Sequence, residues 1–376
     1  MDQNVLYRGQ RLTLTRFWAT GEPCLWITDP EQIGMPKMEF VGGHPDEYCI
    51  FLKNLTETEL AQITSLDGAP LDVKKELRQF LTGKDNPMAL QDKKIMPPPW
   101  LAHREIERYS IGWRMGYGED YIYRFGDWMD TLSPDERTEY RTLFPEPATW
   151  KGWWDDEDSS EVLEHGDFWV NAWQPEGSPK YTRQWLQQEF AAGRKREFCL
   201  FWGHQPSEDG QLTKSCLSQW WMEDFYTTAD SYLCMEQYMM AAKAELFGDK
   251  EIRDQILKCS DQKQIKALGR KVRGFDQKVW DKFKYAIVLL GNWHKFSQNR
   301  ELREFLLSTG DSVLVEASPY DAIWGIRLAA CSPEAQDPIK WRGQNLLGFA
   351  LMEVRDELRR VTQNEMLCDW STVWQQ

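Results

Sequence analysis

The sequence of 376 residues predicts an α+β protein, with a mixed, strand-rich domain followed by a separate, mainly helical one. Three observations predict this. Residues 10 to 55 hold short alternating apolar runs divided by Gly and Pro clusters, the pattern of strands and turns. From residue 234 onward, apolar positions recur at helical spacing in one segment after another. Between the two regions, Gly193-Arg194-Lys195-Arg196 interrupts any apolar pattern. The division therefore falls there, giving an N-terminal domain of 1–195 and a C-terminal domain of 196–376.

In the first domain, Arg11 to Trp18 sets Leu12 and Leu14 against Thr and Arg, which predicts a half-buried strand. Pro23 to Thr28 and Tyr48 to Leu52 are further short strands. Gly34-Met35-Pro36 and Gly42-Gly43-His44-Pro45 supply turns between them. Thr56-Glu57-Thr58-Glu59 has the form of a capping box opening a short helix. Asp72 is expected to cap a second helix, with Val73, Leu77, Phe80 and Leu81 on one face. Asn86 to Trp100 ends in Pro97-Pro98-Pro99 and reads as a loop, either a rigid spacer or a surface turn. Tyr109 to Tyr121 is punctuated by glycines, but it is not GxGxxG and no strand leads into it. Glycines packed against large rings explain it better than a phosphate loop. Ser133-Pro134-Asp135-Glu136 starts a helix that runs to about Leu143. Trp150 to Asp158 reads as Trp packing edged by solvated acids, with an exposed recognition loop as the alternative. Thr182 to Ala192 is helical.

In the second domain, Phe198 to Gly203 is a strand and Gln205 to Lys214 a polar loop. Cys234 to Phe247 follows as a helix, rich in Ala, Met, Leu, Glu and Lys and stopped by Gly248. Met235, Met239, Ala242 and Leu246 form its apolar stripe. Glu236 stands at its start, either as a partner of the helix dipole or as a functional acid. Further helices are expected over 249–258, 261–272, 276–296 and 301–307. A strand is expected over 312–317, a turn at 321–325, a loop as far as Trp341, and a closing helix over 345–360.

Composition narrows the function classes. A net charge of −14 argues against a protein that coats DNA by bulk electrostatics, although one basic rim could still serve a single phosphate. Eight cysteines without a CxxC pair and five histidines without metal spacing predict reduced thiols, no metal and a cytoplasmic protein. No apolar run reaches 18 residues, so no membrane partner is expected. The 20 Trp residues suggest large aromatic cores or stacking platforms for a planar ligand.

Seven pieces of the second domain, in order, resemble the NADAR (YbiA/RibX-like) family. They are Phe201-Trp202-Gly203, Leu217-Ser218-Gln219-Trp220, Glu236-Gln237-Tyr238-Met239-Met240-Ala241, and Leu268-Gly269-Arg270 with Trp280 downstream. Lys295-Phe296, Asp321-Ala322-Ile323-Trp324-Gly325 and Gly343-Gln344-Asn345-Leu346-Leu347-Gly348 complete the set. Two places depart from the family pattern: Gln219 stands where Asn is usual, and the loop from Ile326 to Arg342 is longer and carries Pro333 and Pro338. Residues 1–195 carry no such resemblance, and the partner of that domain is unassigned.

The resemblance implies an N-glycosidase that needs no cofactor, with Glu236 and Asp321 catalytic and Trp280 a base platform. Some members of the family act on a ribosylaminopyrimidine phosphate of riboflavin synthesis, and others remove ADP-ribose from guanine bases. The implied substrate therefore contains ADP-ribose or a phosphoribosyl group, with ADP-ribosylated nucleic acid among the candidates. The ADP-ribosyl reading ranks first because of the extra domain, and a non-catalytic ligand sensor is the third reading. The chemistry suits such residues: one carboxylate stabilises charge on the ribose or deprotonates water, while a second acid protonates the leaving nitrogen. Which of the two takes which role is open, and a raised pKa would mark the acid. Ser218 is a polar contact candidate. Lys295 and Arg270 are candidates for phosphate, within a rim that also holds Arg273. Tyr238 and Trp324 either line the site or pack, and Asn345 is a substrate-binding candidate, its side chain either touching ligand or, the favoured reading, capping its helix.

Overall fold

The computed structural model describes residues 3–17, 23–27, 37–40, 48–71, 73–74, 90, 93–154, 179–207 and 211–373. The turns expected at 34–36 and 42–45 and most of the helix expected after Asp72 lie outside the described residues. So do the acidic part of 150–158 and residues 208–210 of the polar loop. Contacts divide the chain into two compact units. The first comprises 1–102, 121–145 and 361–376, and the second 103–120 and 146–360. The expected cut at 195 falls inside the second unit.

The first unit is built on a six-stranded antiparallel sheet in the order β4-β5-β3-β2-β1-β6. Its strands are β1 (Gln3–Tyr7), β2 (Gln10–Arg16), β3 (Pro23–Ile27), β4 (Glu39–Phe40), β5 (Tyr48–Phe51) and β6 (Thr64–Ser65). The sequence reading did not include β1. It pairs with β2 through a two-residue turn in which Arg8 and Gly9 both have positive φ, 49° and 77°. The capping box forms as expected: Thr56 N–H donates to Glu59 Oε2 (2.8 Å) at the start of α1 (Glu57–Leu60).

The proline run is neither spacer nor surface turn. Residues 95–100 are buried, and they lead into α2 (Pro99–Ala102). Prolines carry no N–H to satisfy, so a buried proline stretch leaves only carbonyls in need of partners. Tyr140 O–H donates to Met96 O (2.7 Å), and Tyr121 O–H to Pro97 O. A further difference is α3 (Tyr117–Asp130), which the glycines around it hid. Gly118 packs against backbone rather than a ring, since a Cβ there would lie 2.3 Å from Gly112 O. Then α4 (Pro134–Leu143) opens on the expected capping box at Ser133.

In the second unit, α5 (Arg183–Ala191) precedes β7 (Phe198–Phe201), which pairs in parallel with β10 (Val313–Glu316). The register sets Glu316 against Phe201. A two-stranded ribbon of β8 (Phe225–Tyr226) and β9 (Ser231–Tyr232) lies between them in sequence. The helices are α6 (Met235–Leu246), α7 (Lys250–Leu257), α8 (Gln262–Gly269), α9 (Gln277–Gln298), α10 (Arg300–Ser308) and α11 (Leu346–Thr362).

The helix α6 is buried on every side of its first half rather than along one stripe. Residues 235–242 are all buried, and the helix packs against α7, α8 and α9. Buried polar groups on it therefore need partners. Gln237 finds them: its Nε2 donates to Ile256 O (3.0 Å) and Cys259 O (3.0 Å), and its Oε1 accepts from Leu233 N–H (2.7 Å). Small residues make the close packing feasible. A Cβ at Gly291 of α9 would lie 2.5 Å from the Tyr238 ring, and one at Gly269 2.0 Å from Met240 Sδ. Among the described residues, no helix is long and apolar enough to cross a membrane.

Candidate active site

Three carboxylates from three elements act on one another electrostatically: Glu236 at the start of α6, Glu316 at the end of β10, and Asp321 in the following loop. Glu236 is 4% exposed, and Gln219 O accepts its backbone N–H (2.9 Å), which fixes the first turn of α6. Burial pushes its carboxyl up to about 7. The charge of Lys266 opposes that rise, Asp321 adds to it, and Arg270 opposes it again. Glu316 is raised further, to about 8, by burial first, then by Asp321 and Glu236, with Lys266 opposing. Its Oε2 is buried and has no hydrogen-bond partner among the described residues.

The backbone holds these groups in place. Asn345 Oδ1 accepts Glu316 N–H (2.9 Å) while Asn345 Nδ2 donates to Leu314 O (2.9 Å). Asn345 thus clamps the edge of β10 with its side chain and does not cap α11 with it, contrary to the sequence expectation. Its φ of 57° turns the chain into that position. Ile326 N–H donates to Glu316 O (2.9 Å) and Arg327 N–H to Asp321 O (3.1 Å), closing the loop on itself. Asp321 Oδ1 accepts from Ile323 N–H and Trp324 N–H, both at 2.8 Å, an Asx turn.

The other expected residues separate into two groups. Arg270 is exposed at the end of α8, and its charge reaches Glu236. Trp280 is half-buried in the first turn of α9, with Lys243 Nζ 5.7 Å from its ring centroid. Glu236, Met240 and Lys243 share one face of α6 at positions i, i+4 and i+7, so Trp280 lies along that face, two turns from Glu236.

By contrast, Lys295 is fully buried, and its ammonium donates to Cys216 O (2.7 Å) and Ser218 O (3.0 Å). Burial lowers its pKa to about 8. The ammonium braces the 216–218 turn and does not belong to a phosphate rim. Ser218 is buried in that turn, its Oγ accepting Trp220 N–H (3.1 Å). Arg273 is engaged by Asp249, with its Nη2 at 2.5 Å from Oδ1 and its Nε at 3.1 Å from Oδ2. Tyr238 packs between Phe225 and Tyr232, at centroid distances of 5.9 and 5.0 Å. Trp324 is 9% exposed in the Asx turn.

Two groups at the site lay beyond the sequence reading, Glu316 and Lys266, and Gln219, noted there only as a departure from the family pattern, supplies a further polar group. Gln219 Oε1 is buried without a partner. A signal for Glu316 existed. It follows Leu314 by two residues in the strand expected over 312–317, so alternation sets the two side chains on one face.

The fold and site define a domain with a buried carboxylate cluster at the end of a short parallel strand pair. Residues 200–359 match the NADAR domain profile. Three relatives bear this out. The "N-glycosidase R617" of Acanthamoeba polyphaga mimivirus is 49% identical over 145 residues, which is 37% of this chain and 85% of that protein. "Protein irg-1" of Caenorhabditis elegans is 42% identical over 129 residues, 34% of this chain and 61% of that protein. The "N-glycosidase YbiA" of Escherichia coli (strain K12) is 32% identical over 123 residues, 33% of this chain and 68% of that protein. The chain belongs to the NADAR family through these residues. No family match covers its N-terminal half.

Proposed function

We propose that this NADAR domain hydrolyses the bond between ribose C1′ and a nitrogen, removing ADP-ribose from an ADP-ribosylated guanine base or a related conjugate. The observation that carries the reading is the pair of buried glutamates, Glu236 and Glu316, which titrate near neutrality beside the Asp321 carboxylate. Relatives named N-glycosidases support the reaction class.

Breaking this bond leaves positive charge on the ribose and an electron pair on the departing nitrogen. Glu316, with a pKa of about 8, is mostly protonated at pH 7. Its Oε2 has no competing bond among the described residues, so Glu316 is the acid that protonates the leaving nitrogen. Glu236, near 7, is about half ionised at neutral pH. It takes a proton from the water whose hydroxyl adds to C1′. Water is thereby divided between the two products, and both carboxyls return to their starting states once Glu236 passes its proton back to Glu316. Asp321, pinned by two amides, supplies fixed negative charge toward the oxocarbenium-like ribose. The Gln219 oxygen is an acceptor suited to a sugar hydroxyl. Lys266 and Arg270 are exposed cations within electrostatic reach of the acids, suited to phosphate. Trp280 offers a face to a base.

The test is release of sugar phosphate from two substrates offered separately to the full chain: an ADP-ribosylated guanine oligonucleotide and a ribosylaminouracil phosphate. Turnover of the first is expected. Turnover of the second alone would move the substrate to the smaller phosphoribosylamine class. ADP-ribose binding without turnover of either would make the domain a sensor and end the enzymatic reading.

A further inference from the structure

Two large aromatic side chains stand in solvent beside the carboxylates. Tyr320 is 84% exposed and Trp202 55% exposed, with ring centroids 6.3 Å apart. Scattered exposed apolar residues are ordinary on a protein surface, but these two are placed by the same devices that place the acids. Trp202 follows β7, and Tyr320 follows β10, its parallel neighbour. Ala317 N–H donates to Phe201 O (2.8 Å), tying the two strand ends together. Ser318 Oγ accepts from Tyr320 N–H (3.4 Å) and Asp321 N–H (3.3 Å), so Tyr320 and the catalytic loop share one anchor. Gly203, with φ of 84°, turns the chain immediately after Trp202.

The arc continues from there. His204 lies 6.1 Å from Trp220, and Lys266 Nζ lies 5.3 Å from the Trp220 ring. Both ends of this aromatic arc reach the acids. Asp321 adjoins Tyr320, and the charge of Lys266 acts on Glu236 and Glu316. An exposed aromatic pair with an anchored backbone, continued by a Trp220 ring that carries the Lys266 ammonium, is the chemistry that recognises a planar base attached to phosphate.

We infer that Trp202 and Tyr320 form a stacking subsite for a nucleobase of the substrate. The inference rests on the N-glycosidase reading only for which end of the substrate supplies that base. One source is the base at the far end of an ADP-ribosyl group, and the other is the base that leaves. Either source makes the substrate a nucleotide conjugate with a second planar group, which a bare ribose phosphate lacks.

Binding measured by calorimetry on the full chain tests this without turnover. The probes are ADP-ribose, guanosine 5′-monophosphate and ribose 5-phosphate, on wild type, W202A, Y320A and W202F. Loss of one stacked base contact corresponds to about 5- to 100-fold in affinity. One base-bearing probe is expected to weaken by that factor in W202A and Y320A and to recover in W202F, while ribose 5-phosphate binding stays unchanged. Which probe weakens identifies the source of the base. The inference is overturned if both base-bearing probes bind all variants as they bind wild type, or if they bind wild type no more tightly than ribose 5-phosphate. Turnover by wild type together with unchanged binding in W202A would remove the subsite and leave the glycosidase. A stacking effect without turnover of any substrate would do the reverse.

Discussion

Replacing Glu316 by Gln removes an ionisable group while keeping its shape and both backbone bonds, its N–H donating to Asn345 Oδ1 and its carbonyl accepting from Ile326 N–H. The group's pKa is lifted from the ordinary 4.5 to about 8, which corresponds to about 5 kcal/mol between its protonation states. Burial is the largest cause and repulsion from Asp321 and Glu236 follows, so the effect of the substitution is taken as roughly half of that figure, about 2 to 3 kcal/mol. The folded pKa lies above the unfolded one. The stability this group contributes is therefore complete below pH 4.5 and is lost as pH rises through about 8. Gln does not titrate. The variant should match wild type at pH 5 and exceed it at pH 9, by about 4 to 12 °C in Tm for a unit of this size. Scanning calorimetry from pH 5 to pH 9 measures the gap. A gap that stays constant with pH would refute the argument, because Glu316 would then not titrate in that window. Sugar release should meanwhile fall by about 10²- to 10⁴-fold, with loss of the alkaline limb of the kcat profile near pH 8.

Glu236→Gln should lower kcat by a similar factor and abolish the acid limb near pH 7, read from a pH–rate profile with KM little changed. Lys295→Met should leave Cys216 O without its donor and Ser218 O with only the Trp221 N–H (3.3 Å), costing about 1 to 3 kcal/mol and lowering Tm in a thermal melt. If the ammonium instead bound substrate phosphate, KM would rise with Tm unchanged. Gly348→Ala places a Cβ 2.0 Å from Leu314 O and 2.6 Å from Asn345 Nδ2. It should move β10 and with it Glu316, costing about 1 to 3 kcal/mol or more and reducing activity further than stability alone explains.

Most helices of the second unit were legible because each carries its own start and stop. Asp249, Asp261 and Asp276 all accept from the first-turn N–H groups of the helices they precede. The short ribbon of β8 and β9 carried no such mark, and α3 was obscured by Gly118 and Gly126, residues that lower helix propensity. Glu236 was legible at the site because the residues around it follow a family pattern. Glu316 was not, because what distinguishes it is three-dimensional: a strand edge clamped by Asn345, 29 residues later in the chain. Lys295 misled for the complementary reason. A lysine among helix residues reads as solvated, and only the two carbonyls it meets in space reveal a buried brace.

The arrangement also explains why the acids sit where they do. Three carboxylates held together, two of them out of water, oppose folding above neutral pH, and the exposed charges of Lys266 and Arg270 offset them from the rim. A surface loop carrying such a cluster would relieve the repulsion by moving apart. Here each acid is fixed through backbone already committed to other bonds: Glu236 by Gln219 O, Glu316 by Asn345 and Ile326, Asp321 by Ser318 Oγ and its own Asx turn. Raised pKa values of this kind persist only when the scaffold is stiffer than the repulsion is strong. For that reason loosening the clamp at Asn345 should lower the Glu316 pKa toward its ordinary value, even though Asn345 carries no charge.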